Sequence, residues 1–358
     1  MTLRHDSVRP VTIVGTGMYV PDRVLSNADF ERLVDTSDEW IRERTGIRER
    51  RIAAPDQASS DLALIASQRA LACARIAPSD IDHIVVATTT PDRILPSCAC
   101  TLQMKLGASG AAAYDIFAAC TGFVFGLALG RSLIGSRAAD TVLVVGVETL
   151  SRIVDYTDRN TCVLFGDGAG AVVLRPCADG EGILAIDIRS DGDLGEVLEV
   201  PAGISRNPAS AATVAAREHT IRMQGKKLFP FAVRTMEEST RRCLERVGIG
   251  AEDLDFVVSH QANLRIIDAV RERLGLPADK VPVNIDRYGN TSSASIPITL
   301  DELVRAGRLK PGHHVGMCAF GGGATWGASL VRWTMARQGG KSDAGARDGR
   351  LAASHPTS

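Results

Sequence analysis

Two stretches of the chain carry the same order of apolar and polar positions. Asp61–Thr90 (DLALIASQRALACARIAPSDIDHIVVATTT) reads as a helix, a short polar break and an apolar strand. Phe231–Gln261 (FAVRTMEESTRRCLERVGIGAEDLDFVVSHQ) reads the same way. The breaks end in closely similar phrases, SDIDHIVV and EDLDFVVS. Each is followed by a helical stretch closing on Leu-Gly, at Leu106-Gly107 and Leu274-Gly275. A third pair follows, YDIFAACTGF from Tyr114 and NIDRYGNTSS from Asn284. The fourth is FGDGAGAVVLRP from Phe165 and FGGGATWGASLVRW from Phe320. Four landmarks in one order point to an internal duplication.

The alternation of strands and helices predicts an α/β fold with sheets covered by helices. Two such halves bury most surface if their sheets pack around shared helices. The polar, Gly-containing break Arg175–Ile183 marks the join. The expected halves are therefore residues 1–178 and 179–337. Residues 338–358 have few large apolar side chains and are expected to be a disordered tail.

Composition narrows the function classes. The chain has 358 residues, 45% hydrophobic and 23% charged, with a formal net charge of −1. That balance gives no global attraction to nucleic acid, so a charged partner must be read by a local patch. The first residues, MTLRHDSVRP, lack the apolar core of a signal peptide, and no apolar run approaches a membrane span. A cytoplasmic protein with no membrane partner is expected. The eight cysteines are scattered without metal or disulfide spacing, so free thiols are expected and no metal site.

Aligning the halves sets Cys120 opposite Asn290. Both follow an apparent strand and open a helix-like run of small and apolar residues. Unpaired N–H groups at a helix start favour a thiolate, and Ala118, Ala119 and Gly122 leave room for a substrate. His260 ends the strand LDFVVSH, towards the region a pseudo-twofold would share with Cys120. Singly, these are a packing cysteine, a hydrogen-bonded structural histidine and a turn asparagine. At matched positions of a duplicated framework, they point to one nucleophilic site.

Other motifs fall away. IVGTGMYVP lacks the third glycine and helix of a dinucleotide fingerprint, with Pro21 intervening, and reads as strand and turn. FGDGAG lacks the Lys and Ser/Thr of a P-loop and reads as a structural bend. His313-His314, on a turn after Pro311-Gly312, is too isolated for a metal.

The segments DIFAACTGF, HQANLRI (His260–Ile266), GNTSSASIP (Gly289–Pro297) and FGGGATWG (Phe320–Gly327) resemble the signatures of β-ketoacyl-acyl carrier protein synthase III. So does DTSDEWIRERTGIRERR (Asp35–Arg51), and the resemblance spans roughly residues 10–335. It implies a thiolase-like αβαβα layered double unit, usually a homodimer. The implied reaction is a decarboxylative Claisen condensation. An acyl group passes from coenzyme A (CoA) to the cysteine; malonyl-acyl carrier protein then loses CO₂ and attacks it. Acyl-CoA is a substrate, and no cofactor is expected.

The same resemblance distributes roles. Cys120 would be a low-pKa thiolate. Its N–H and that of Gly322 would form the oxyanion hole. His260 and Asn290 would hold the malonyl thioester oxygen, and that pair marks the initiating, CoA-primed type. Elongating relatives use two histidines, and biosynthetic thiolases a second cysteine as base. Trp40, Arg44 and Arg159 match positions that bind the adenine and phosphates of CoA, with Thr36 and Asn263 as further contacts. From its residues alone, the segment around Trp40 also reads as a solvated helix face, with Glu39, Glu43 and Glu49 beside the arginines. Arg265 matches a carrier-protein docking position, and Arg273 extends that patch. Leu95 matches a position bordering the acyl pocket across a dimer interface; being smaller than an aromatic, it leaves room for longer or branched primers. Pro230 stands where many relatives carry a basic residue.

Two rivals remain. A same-fold acyltransferase would pass the acyl group to an O, N or S acceptor, with less need of Asn290. A non-catalytic partner subunit commonly lacks the nucleophile that this chain keeps.

Overall fold

The computed structural model describes residues 8–336, and the tail at 338–358 lies outside the described residues. Strands β1 (Val11–Tyr19), β2 (His83–Ala87), β3 (Ala112–Ile116), β4 (Val142–Thr149) and β5 (Asp167–Pro176) form one sheet, ordered β1-β5-β4-β2-β3. Strands β6 (Gly182–Ser190), β7 (Phe256–Ser259), β8 (His314–Gly321) and β9 (Thr325–Arg332) form another, ordered β7-β8-β9-β6.

The pairing repeats. In the first sheet β1 runs antiparallel to β5, β5 antiparallel to β4, and β4 parallel to β2. In the second, β6, β9, β8 and β7 follow the same sequence of directions. Only the first sheet adds a further strand, β3, parallel to β2. The apolar segment 281–284 (VPVN), which precedes Asn290, forms no strand. Pro282 within it supplies no N–H for a ladder. The expectation that both Cys120 and Asn290 follow a strand therefore holds for Cys120 alone; a single helical turn, Ile285–Tyr288, precedes Asn290.

Helices α1 (Asp38–Thr45), α2 (Ser59–Ala74), α3 (Cys98–Leu106), α4 (Gly122–Gly135), α5 (Gly225–Val247), α6 (Leu264–Leu274) and α7 (Ser295–Arg305) complete the frame. The two Leu-Gly landmarks close α3 and α6, with Gly107 and Gly275 at φ +76° and +72°. That left-handed cap is where glycine avoids the Cβ penalty.

Strand β4 explains the layering. Along VLVVGVET, Val142 and Val144 join a central core with Phe123 and Leu127 of α4 and Ile296 and Leu300 of α7. Leu143, Val145 and Val147 join an outer core with Leu62 and Ala66 of α2 and Leu102 of α3. In β8, Val315 and Met317 face the central core, while Cys318 and Phe320 face Met236 and Leu244 of α5 and Ile267 of α6. Strands buried on both faces read as unbroken apolar runs. Helices α4 and α7 thus lie between the sheets, with α2 and α3 outside one and α5 and α6 outside the other. No helix among the described residues is long and apolar enough to cross a membrane.

Candidate active site

Cys120 sits in the tight turn Ala119–Thr121 between β3 and α4. Ala119 has φ +44°, a left-handed conformation that a residue with a Cβ adopts at a cost of about 1–3 kcal/mol. The turn is clamped by the other sheet. Thr325 Oγ1 donates to Ala118 O at 3.0 Å, and Thr121 Oγ1 donates to Thr325 O at 3.1 Å. Gly321, at the end of β8, comes so close that a Cβ there would lie 2.7 Å from Cys120 N and 3.2 Å from Ala119 Cβ. Gly321→Ala is therefore expected to displace the sulfur and slow acylation by about a hundredfold. Labelled acyl-CoA measures that rate, with circular dichroism reporting the fold.

His260 follows β7 and is 1% exposed. Its backbone N–H donates to Cys318 O at 2.8 Å. Its Nδ1 lies 2.6 Å from Ser295 Oγ, at the first residue of α7. That oxygen already accepts the Gln261 N–H at 3.4 Å. Assigning the serine as donor to Nδ1 puts the ring proton on Nε2. Burial pushes the imidazole pKa down to about 3, so His260 is neutral. A neutral ring with Nε2–H is a hydrogen-bond donor and a poor base.

Gln261 does the work of the missing strand. Its Nε2 donates to Pro282 O at 3.3 Å, and its Oε1 accepts from Asn284 N at 2.9 Å and Ile285 N at 3.2 Å. Beyond them, Asn290 is held by its backbone: its N–H reaches Leu164 O at 2.8 Å, and its carbonyl accepts from Gly166 N at 3.0 Å. Asn290 Oδ1 accepts from Ser292 N at 2.8 Å, which leaves Nδ2 as the outward donor.

Cys120, His260 and Asn290 line one cavity of about 610 Å³. Phe320 and Gly321 join them, while Trp40, Arg44, Asn263 and Arg265 line it further along. Gly322, the expected oxyanion donor, is not among the lining residues; a Cβ there would meet Leu198 O at 3.0 Å. The guanidiniums of Arg44 and Arg159 lie 5.0 Å and 5.2 Å from the Trp40 ring centre. Arg159 also donates to Asp35 O at 2.7 Å. Thr36 Oγ1 is buried with no hydrogen-bond partner among the described residues. Asn263 caps α6 and donates through Nδ2 to Arg44 O at 2.9 Å. Arg273 is exposed and outside the cavity, 3.7 Å from Glu237. Leu95 is 83% exposed and also outside it in the single chain.

Two expectations are corrected. Cys120 is 7% exposed, and burial pushes its thiol up to about 12. Burial disfavours the charged form, and with Glu148 nearby it opposes the low-pKa thiolate that the resemblance implies. Arg50, read with its neighbours as part of a solvated face, is fully buried. It donates through Nε to Val163 O at 2.9 Å and through Nη1 to Asn27 Oδ1 at 2.5 Å, with Phe30 4.6 Å beneath the guanidinium. It braces the segment that holds Asn290. Sequence reasoning also passed over Lys226, Met223 and Phe229, which line the cavity, and Glu148, buried behind it.

Comparison with known proteins agrees with this geometry. Residues 114–192 match the family described as 3-oxoacyl-[acyl-carrier-protein (ACP)] synthase III, and residues 244–333 match its C-terminal counterpart. A β-ketoacyl-[acyl-carrier-protein] synthase III of Desulfitobacterium hafniense is 52% identical over 90% of this chain and 98% of its own length. The chain belongs to the β-ketoacyl-acyl carrier protein synthase III family. A synthase III of Xanthomonas campestris is 51% identical over 90% of this chain and 98% of its own length. The crystal structure of 3-oxoacyl-[acyl-carrier-protein] synthase III from Aquifex aeolicus superposes with TM-score 0.84 at 48% identity, covering 90% of this chain and all of that one. The priming β-ketosynthase of the R1128 polyketide pathway superposes with TM-score 0.86 at 36% identity, covering 93% and 99%. As a synthase III, the chain has the thiolase-like layered fold and is an acyltransferase of the condensing type.

Proposed function

We propose that Cys120, His260 and Asn290 carry out the initiating condensation between an acyl-CoA primer and malonyl-acyl carrier protein. The products are a 3-ketoacyl-acyl carrier protein, CoA and CO₂. The observation carrying this reading is that a thiol, an Nε2–H and an Nδ2–H converge on one buried cavity.

Cys120 takes the acyl group, and its own N–H holds the tetrahedral oxyanion; the Gly322 N–H that the resemblance adds would have to turn into the cavity beside Gly321 to join it. The malonyl thioester then turns its carbonyl oxygen towards His260 and Asn290. Loss of CO₂ leaves an enolate, and those two donors hold its charge. The enolate carbon attacks the acyl thioester, and the Cys120 sulfur leaves. No cofactor enters this scheme. A histidine held neutral suits it, because the carbanion arises by decarboxylation and needs no strong base.

The stacked Trp40, Arg44 and Arg159 suit the adenine and phosphates of CoA. Asn263 sits beside them, and the unpartnered Thr36 hydroxyl is available to the same ligand. Exposed Arg265 and Arg273 offer an acidic carrier protein a basic landing patch in the cytoplasm. Strand β3, which pairs on one side only beside exposed Ile94, Leu95, Met104 and Phe117, supports a homodimer. Pairing β3 with its twofold copy would bring Leu95 towards the partner's acyl pocket.

Release of CO₂ from malonyl-acyl carrier protein by the acylated enzyme tests the reading. Release is expected to depend on prior acylation. An enzyme that accepts the acyl group but releases none would be a plain acyltransferase.

A further inference from the structure

Helix α7 carries a polar stripe beside its apolar one. Ile296, Leu300 and Leu303 pack in the central core. Ser295, Thr299 and Glu302, spaced i, i+4 and i+7, share another face. At the head of that face, Ser295 Oγ lies against His260 Nδ1. Thr299 Oγ1 donates to Ser295 O at 2.8 Å and accepts from Asn284 Nδ2 at 3.0 Å. Glu302 closes the stripe. Its Oε2 accepts from Asn284 Nδ2 at 2.9 Å and from Arg287 Nη2 at 3.1 Å. Its Oε1 accepts from Arg287 Nη1 and from the Tyr288 hydroxyl, both at 2.8 Å.

Asn284, Arg287 and Tyr288 belong to the stretch that replaces the missing strand and delivers Asn290. Gly289 alone separates Tyr288 from Asn290, and its N–H donates to Ile285 O at 2.9 Å. Gln261 fastens this stretch from the end of β7, and Leu164 and Gly166 hold the Asn290 backbone. Glu302 gathers three of its side chains onto one carboxylate. Arg287, Thr299 and Glu302 also line an open cleft of about 710 Å³, apart from the cavity that Cys120, His260 and Asn290 share. An ion pair with access to solvent adds little to stability. The consequence of this one lies in where the stretch is held.

We propose that the Ser295–Thr299–Glu302 face of α7 sets the two decarboxylation donors against each other, with Glu302 as a positioning residue for Asn290. The first residue of the helix orients the His260 ring. Further along the same face, Glu302 holds the turn from which Asn290 is presented. One helix thus fixes the spacing between the two side chains. A developing enolate oxygen has to lie about 2.7–3.1 Å from both donors at once, so an error in their spacing weakens the pair. Acylation of Cys120 uses neither donor and does not depend on the device. The inference rests on the condensation reading for the roles of His260 and Asn290, and adds what holds them in register.

The test measures both half-reactions in Glu302→Ala. Labelled acyl-CoA is expected to acylate Cys120 at the wild-type rate. CO₂ release from malonyl-acyl carrier protein by the acylated enzyme is expected to fall by about ten- to a hundredfold, the scale of a small misplacement. In an Asn290→Ala background the same substitution is expected to cost nothing further, because the group it positions is gone. A general loss of structure would slow acylation too and would repeat its full cost in that background. Either result, or wild-type CO₂ release by Glu302→Ala, overturns the device. Asn290→Ala alone tells the two readings apart. If it is impaired while Glu302→Ala is not, only the positioning falls; if it releases CO₂ as the wild type does, the role of Asn290 falls and the device with it. Hydrogen exchange over residues 284–292 requires no malonyl substrate. It is expected to quicken in Glu302→Ala while β7 stays protected, and an unchanged rate also overturns the device. Should Glu302→Ala not fold, Glu302→Gln keeps an oxygen for Asn284 and gives up the ion pair with Arg287. The same split between half-reactions and the same local exchange are expected of it.

Discussion

Cys120→Ser is expected to take up no label from radiolabelled acyl-CoA under conditions where the wild type is labelled stoichiometrically. The rate should fall by a factor on the order of 10⁴–10⁶, the scale on which removal of a nucleophile is felt. The fold gives serine little reason to misfold, since it differs by one atom at a site that is 7% exposed. The chemistry gives it little chance to react. A serine hydroxyl needs an adjacent strong base to attack a thioester. His260 is held near pKa 3 with Nδ1 committed to Ser295, so it does not complete a serine-type triad. Equal labelling of both proteins would move the nucleophile to another of the eight cysteines. The remaining seven have competing structural surroundings; Cys318 and Cys243, for example, are buried in the outer core beneath α5.

The three site residues were legible because each lies at the end of an element that hydrophobic pattern marks. Cys120 opens the run after β3, and His260 follows β7. Asn290 was legible for a partly mistaken reason. Its repeat partner follows a strand, but Asn290 is reached through a segment that Gln261 fastens by side chain. The pattern registers apolar positions and is blind to a proline that removes a ladder and a glutamine that replaces it. Depth of burial was equally hidden. The helix start beside Cys120 is visible in the sequence, whereas the burial that pushes its thiol up exists only in the folded chain, where Phe320 and Gly321 line the same cavity. Arg50 shows the converse. Its neighbours Arg48 and Arg51 are charged and at least partly exposed, and nothing local distinguishes the one that turns inward. Glu148 draws its hydroxyl shell from residues 88–90 and 292–293, which only the folded chain brings together.

His260→Ala and Asn290→Ala are expected to separate the two half-reactions. Each should still transfer an acyl group to Cys120, because neither side chain holds the acyl oxyanion. Each should lower CO₂ release from malonyl-acyl carrier protein by about 10²–10³, the usual cost of losing one donor at a developing oxyanion. The mechanism is electrostatic. In a buried cavity the enolate oxygen has little water to spread its charge, so a missing N–H is not replaced by solvent. Asn290→Asp should do worse than alanine, because a carboxylate there repels the enolate and its Oδ1 already faces the Ser292 N–H. The double alanine variant should lose less than the product of the single effects, since donors acting on one atom are not additive. Across the working pH range His260 contributes no ionisation, as it stays neutral down to about pH 3; any acid limb in CO₂ release must come from another group. Wild-type release by Asn290→Ala would remove the asparagine from the decarboxylation step. It would also leave unexplained why the turn from Gly289 to Ser292 orients that amide so that its NH₂ end is the one turned away from its own backbone.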